Sequence, residues 1–180
     1  MDELTGLLIA ARGGNRRAFA AFVRASQQEV WRLCAHLIGT ADADDAVQET
    51  YIAAWRALPA FRNESTARTW LFAIARRCAE RVSRRRRRWT ELAGQAPAPA
   101  PAPGADAHAV LDDLLEDLLS GLDPERRAAL VLTQVLGLSY AEAAEVCDCP
   151  IGTIRSRVAR ARAELVETRR ERELGEEEPG

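Results

Sequence analysis

Lysine is absent from this chain. All 25 basic residues are arginine. Aromatics make up only 6%, and there is one methionine. No stretch approaches the ~20 apolar residues that a membrane-spanning helix needs, which excludes a bilayer-spanning role for the chain as read. The amino-terminal MDELTGLLIAARGGNRR is acidic first and basic later, the reverse of a secretory signal. The expected location is therefore the cytosol, where the four cysteines (34, 78, 147 and 149) are reduced thiols rather than a disulfide framework. What the 180 residues do contain is 47% hydrophobic and 29% charged residues, with Ala, Leu, Arg and Glu dominant. That composition is globular and favours helices over sheets.

The formal net charge of −2 hides a segregation of charge. Arg occupies positions 76, 77, 81 and 84 to 88, with Glu80 the one acid among them. From Ala105 to Glu125 there are seven acids and no Arg. Arg155, Arg157, Arg160 and Arg162 follow, and the end, GEEEPG, is acidic again. Basic blocks on a near-neutral chain form an electrostatic footprint for a polyanion, with a solvated face as the plainer alternative.

Residues 93 to 107, AGQAPAPAPAPGADA, cannot form a helix interior, because each Pro removes a donor and clashes with the preceding turn. An extended strap of roughly 45 Å is expected, at ~3.1 Å per residue. It divides the chain into residues 1–90, a linker over 91–107, a second unit over 108–174 and an acidic tail over 175–180.

The first unit reads as helices. LTGLLIAAR is a short one, ended by Gly13 and Gly14. Residues 15 to 38 place Phe19, Phe22, Val23, Val30, Leu33, Cys34, Leu37 and Ile38 at helical spacing. Asp42 is the expected cap of a helix over 42–58, stopped by Pro59. On its wheel Val47, Tyr51, Ala54, Trp55 and Leu58 form the core side. Asp45, Gln48, Glu49 and Ile52 form a second, acidic face with one aliphatic residue. After the loop ALPAFRNESTA, a helix over 66–88 buries Trp70, Leu71, Ile74 and Cys78 and ends in the Arg run.

The second unit opens with an acidic amphipathic helix, HAVLDDLLEDLLSGL. Asp123 caps the next helix, with Pro124 in its first turn, and Gly137 ends it. Ser139 and Glu142 form a capping box for SYAEAAEVC. The turn DCP then leads into IGTIRSRVARARAELVETRR. Leu138, Ala143, Ala144, Val146, Ile151, Ile154 and Val158 are expected to pack between these two helices. A capped helix, a short turn and a basic second helix form a helix-turn-helix, whose second helix enters the DNA major groove.

Three segments in order, DADDAVQETYIAAWRAL, FRNESTARTWLFAIARRCAERVSRRRR and LDPERRAALVLTQVLGLSYAEAAEVCDCPIGTIRSRVARARAEL, resemble the extracytoplasmic-function (ECF) sigma factors, the two-domain class of bacterial RNA polymerase initiation factor. The resemblance implies an all-α fold of two small helical domains, sigma domain 2 and a helix-turn-helix sigma domain 4. It implies that Asp45, Gln48, Glu49 and Ile52 face the β′ clamp helices of core polymerase, and that the β flap is a further contact. Asn63, Glu64, Ser65 and Thr66 would read unpaired −10 bases, with Arg76, Arg77 and the region from Arg81 to Arg88 on adjoining phosphates. For Asn63 and Ser65 a plain loop or cap role stands beside that reading, and Trp70 is read as core. In the last helix the −35 contacts map to Arg155, Ser156, Ala159 and Arg160, with Thr153, Arg157 and Tyr140 on phosphates. Arg162 has an acid on its own helix as the alternative partner. The implied partners are core RNA polymerase, promoter DNA and a separate anti-sigma factor.

No Ser/His/Asp arrangement, phosphate-binding loop or paired carboxylates suggest an enzyme, and no cofactor is expected. The C-x-C of Cys147 and Cys149 is a weak zinc motif, since only His36 and His108 could add imidazole ligands. Two other functions account for parts of the pattern. A free-standing helix-turn-helix regulator needs neither the 42–58 face nor the 61–67 loop. A nuclease would use Asp42, Asp44 and Asp45 for a metal, but helix capping explains those acids better.

Overall fold

The computed structural model describes residues 2–93 and 117–176. The Ala-Pro linker beyond Ala93, the start of the acidic helix and the last four residues lie outside the described residues. Described elements are helical, in two compact units.

The first unit holds α1 (Glu3–Ala11), α2 (Arg16–Ile38), α3 (Thr40–Ala57) and α4 (Ala67–Ala93), with a 3-10 turn at Leu58–Ala60. Asp2 caps α1 and Asn15 caps α2 through their side chains. Gly39, at φ +87°, lets α2 turn directly into α3. Asp42 is not the cap of α3. The helix starts two residues earlier, has no side-chain cap, and Asp42 instead pairs with Arg86 at 2.7 Å.

The buried face of α3 is also rotated from the expected one. It consists of the small residues Ala43, Ala46, Thr50 and Ala54, and then Leu58. Small residues let helix backbones approach closely. The larger residues stay at the rim: Val47 and Tyr51 are half-buried, and Trp55 is 37% exposed, its ring edge-on to Phe19 at 4.8 Å. Around this contact Phe22, Val30, Leu33 and Cys34 of α2 meet Leu71, Phe72, Ala75, Cys78 and Val82 of α4 in one core. Trp70 is half-buried, packing on the buried Phe61 at 5.2 Å. The arginine run continues as regular helix, so α4 reaches Ala93 rather than ending at 88.

The second unit holds a helical stretch over 117–120 (α5), α6 (Pro124–Leu130), most of α7 (Tyr140–Cys147) and α8 (Ile151–Glu176). Asp123 Oδ1 accepts the N–H groups of Glu125 and Arg126, as its Asp-Pro start predicts. Beyond Leu130 the helix widens into a π turn over Val131–Val135 and closes at Gly137, φ +70°. The capping box is present: Ser139 Oγ accepts the Glu142 N–H at 3.2 Å, and Glu142 Oε2 accepts the Ser139 N–H at 2.8 Å. Ile154, Val158 and Ala161, spaced by four and three, form the buried stripe of α8 with Leu132, Leu138 and Ala143. Ile151 is not part of it, being 42% exposed at the first turn.

Candidate nucleic-acid interface

The expected functional residues fall on three surfaces. On α3, Asp45, Gln48 and Ile52 are exposed, at spacings of three and four, so they share one face. Glu49 differs. Its side chain is only 24% exposed and lies between two guanidinium groups: Arg85 donates to Oε1 at 2.6 Å, and Arg81 stands 3.5 Å from Oε2. Arg85 also reaches Asp45 at 3.6 Å. The acidic face of α3 and the arginine run of α4 thus neutralise each other over part of their length. Glu49 holds the Arg85 guanidinium above its ordinary range, through the hydrogen bond and its charge.

The same pairing sorts the arginines of α4. Arg81, Arg85 and Arg86 turn towards acids of α3. Arg77, Arg84 and Arg88 are exposed and fall within roughly 40° of one another at 100° per residue. Arg77 donates from Nε to the Ala73 carbonyl at 3.0 Å, which holds its side chain along the helix. Arg76 is drawn into an ion pair with Glu80. Arg84 and Arg88, from the run expected on phosphates, belong with Arg77 in one basic stripe.

The loop between Phe61 and Ala67 presents Arg62, Asn63 and Glu64 to solvent, with Ser65 half-buried. Asn63 sits at φ +60°, a conformation Asn tolerates better than most residues, so the loop turns there. Thr66 acts locally. Its Oγ1 accepts the Thr69 N–H at 3.1 Å and its carbonyl the Trp70 N–H at 3.0 Å, which starts α4. The start of α4 is held from elsewhere too. Arg68 forms a two-pronged bond with Glu29 of α2, at 3.0 and 2.8 Å, and lies over the Phe72 ring. Thr5 of α1 takes the Ala67 N–H. No local pattern marks Glu29 or Thr5 for this role; the partners are far apart in sequence.

On α8, Arg155, Ser156, Ala159 and Arg160 are all exposed and form one continuous face opposite Ile154, Val158 and Ala161. Ser156 Oγ donates to the Thr153 carbonyl at 2.9 Å, and Thr153 and Tyr140 are half-buried. Arg157 points the other way. It pairs with Glu125 at 2.9 Å and donates to Cys149 Sγ at 3.6 Å. Arg162 bonds the Gln134 side chain rather than an acid on its own helix. The turn between α7 and α8 is shaped by Asp148 at φ +50° and by the Cys149 N–H bonding the Ala144 carbonyl at 3.1 Å. Among the described residues no group of three His, Cys, Asp or Glu side chains is placed to hold a metal. Nor is any helix there long and apolar enough to cross a membrane.

The chain is similar to known proteins in sequence and in fold. The family model "Sigma-70 region 2" matches residues 22–90, and "Sigma-70, region 4" matches residues 112–165. The ECF RNA polymerase sigma factor SigC of Mycobacterium tuberculosis is 47% identical over 92% of this chain and 90% of its own. The ECF RNA polymerase sigma-E factor of Escherichia coli is 33% identical over 89% and 92%. Among solved structures, CnrH in complex with the cytosolic domain of CnrY aligns with a TM-score of 0.73 at 28% identity, over 93% of this chain and 97% of that one. The sigma factor RpoE in complex with the anti-sigma factor NepR from Bartonella quintana aligns at 0.65 and 32%, over 83% and 94%. Both regions on one chain, matched nearly end to end, disfavour a free-standing helix-turn-helix regulator. The chain belongs to the sigma-70 family as an ECF RNA polymerase sigma factor, a transcription initiation factor.

Proposed function

We propose that this sigma factor binds core RNA polymerase in the cytoplasm and directs it to promoters by reading −35 duplex with α8 and melted −10 DNA with the 61–66 loop. In this reading residues 1–90 act as sigma domain 2, 91–107 as a linker, 108–174 as sigma domain 4 and 175–180 as an acidic tail. Asp45, Gln48 and Ile52 meet the β′ clamp helices, with Glu49 holding the neighbouring arginines. The second unit meets the β flap. An acidic, hydrogen-bonding face around an aliphatic anchor suits a basic partner.

The observation that carries the reading is the sorting of side chains on α8. Arg155, Ser156, Ala159 and Arg160 stand on the outer face, while Arg157 is spent on the unit's own Glu125. Arg bridges guanine O6 and N7, Ser bonds a base or phosphate, and Ala touches a thymine methyl. Thr153 and Tyr140 flank this face and serve phosphates. On the first unit Asn63, Glu64 and Ser65 offer base-edge donors and acceptors beside the Arg77, Arg84 and Arg88 stripe, which suits duplex phosphates. Capture of each unpaired base has to repay an unstacking cost of a few kcal/mol.

The chain itself performs no chemistry and needs no cofactor; the polymerase makes the phosphodiester bond. Two aligned structures are complexes, of CnrH with the CnrY cytosolic domain and of RpoE with the anti-sigma factor NepR. A dedicated anti-sigma factor is accordingly part of the proposal. The test is in vitro transcription with core polymerase on a genomic promoter library. Start sites sharing −35 and −10 elements are expected only when this protein is added; start sites unchanged by its addition would overturn the proposal.

A further inference from the structure

Thr5 lies on α1, ahead of the segment that resembles sigma-70 region 2, yet it is bonded to the start of α4. Its side chain is buried, the residue only 3% exposed. Thr5 Oγ1 accepts the N–H of Ala67 at 3.0 Å, across 62 positions of sequence. Ala67 opens α4 and follows directly on the loop. The hydroxyl has one proton, and it goes to Asp2 Oδ2 at 2.6 Å; Asp2 Oδ1 accepts the Thr5 N–H at 2.9 Å. With its proton committed to the carboxylate, the Thr5 oxygen is left to act as an acceptor towards Ala67.

The first N–H groups of a helix have no partner within it. Here Thr66 supplies the acceptors for Thr69 and Trp70, and Thr5 the acceptor for Ala67. At its other end the loop is anchored by Phe61, 3% exposed and packed on Trp70. The loop residues 62–66 are thus bounded by two fixed points, one of them supplied by α1.

We infer that Asp2 and Thr5 are positioning residues for strand opening: they pin the backbone where the 61–66 loop joins α4, so that Asn63, Glu64 and Ser65 meet an unpaired base from a fixed frame. The inference rests on the reading of that loop given above. A loop held at one end only must be ordered when the base arrives, and that ordering entropy weakens capture. The loss falls on opening, because the core-facing residues Asp45, Gln48 and Ile52 stand on α3, an element that Thr5 does not cap.

The test uses the full chain with core polymerase, below the melting temperature of every variant. Thr5→Val removes the hydroxyl at constant shape, and Thr5→Ser keeps it. Three quantities are read: core affinity, permanganate reactivity of −10 thymines, and hydrogen exchange of the Ala67 amide. For Thr5→Val we expect faster Ala67 exchange, unchanged core affinity and roughly a tenfold loss of open complex. Thr5→Ser restores opening, and Asp2→Asn, which keeps the hydroxyl but not its charged acceptor, falls between. Should Thr5→Val fail to fold, the Thr5→Ser and Asp2→Asn pair carries the same comparison. Normal opening by Thr5→Val or Asp2→Asn, or an Ala67 amide that Thr5→Val leaves protected, overturns the inference. Asn63→Ala and Glu64→Ala separate it from the underlying reading: normal opening by both strikes the reading of the loop, whereas a defect there with normal opening by Thr5→Val strikes the positioning role alone.

Discussion

Arg85 donates to Glu49 at 2.6 Å, and that bond joins the arginine run of α4 to the acidic face of α3. Two surfaces that read as separate in the sequence, one for polymerase and one for DNA, share their charges. With Arg86 on Asp42 at 2.7 Å and Arg81 on Glu49, the pairing runs for two helical turns along the α3–α4 contact. Its members are not equivalent. Glu49 is mostly enclosed, whereas the Asp45 side chain is 67% exposed.

The first prediction follows from that difference. Asp45→Lys and Ile52→Ala are expected to weaken core binding with the melting temperature unchanged. Glu49→Gln keeps an acceptor oxygen but removes the negative charge that faces both Arg81 and Arg85, and is expected to cost about 1 kcal/mol, near the top of the range for exposed pairs. For a domain of this size that is a fall of about 4–8 °C. Calorimetry and a core pull-down on the same variants check this. A Glu49→Gln protein as stable as the parent would show that the pairing contributes nothing.

Much of the fold is legible because it is written in local chemistry. Asp123 before Pro124, Ser139 with Glu142, and glycines at 14 and 137 mark helix ends in the sequence and do so in the structure. The departures have a physical cause. Periodicity favours the largest apolar residues for the core, but α3 buries its smallest ones, so Trp55 and Val47 do not take the inward positions their spacing predicts. Ile151 departs likewise: it opens α8 and stays 42% exposed, while Ile154 three residues on is fully buried. Ion pairs such as Glu29 with Arg68 and Glu125 with Arg157 join residues 39 and 32 positions apart, and no local pattern records them.

A pH dependence is expected from Asp2. The hydrogen bond from Thr5 is the largest of the influences that hold its carboxyl below the ordinary 3.8. A carboxylate with a depressed folded value contributes stability that is fully present above the unfolded value and is lost as pH falls through the folded one. The melting difference between the parent and Asp2→Asn should hold from neutrality down to about pH 4 and shrink below it. A difference that stays constant to about pH 2 would contradict the assigned bond.

The cysteines should separate by reactivity. Burial pushes the Cys34 thiol up to about 12, with the neighbouring Cys78 adding to the effect, and burial raises Cys78 as well. Since the thiolate is the reactive form, both are expected to resist alkylation at about pH 8 until the protein unfolds. Cys149 is half-exposed in the α7–α8 turn and is expected to label first. Peptide mass spectrometry after a brief iodoacetamide pulse distinguishes the sites; early label on Cys34 would mean that the core opens readily.

The two arginines flanking Ser156 should fail in different ways. Arg155 stands on the outer face of α8, where it can reach a base edge, and Arg157 is committed to Glu125 and Cys149. Removing a base-reading Arg costs about 1–3 kcal/mol and relaxes preference at one position. Removing Arg157 strips Glu125, in the first turn of α6, of this ion pair and loosens the α6–α8 contact. Arg155→Ala is therefore expected to leave the melting temperature intact and to flatten selectivity at a single −35 base pair, measured as holoenzyme binding at one salt concentration. Arg157→Ala is expected to lower the melting temperature and weaken binding to all −35 variants alike. Substituting Glu125→Gln separates the effects further: it should reproduce part of the Arg157→Ala instability while releasing that guanidinium for phosphate. A −35 preference that changes with Arg157→Ala and not with Arg155→Ala would mean that α8 turns its other face to DNA.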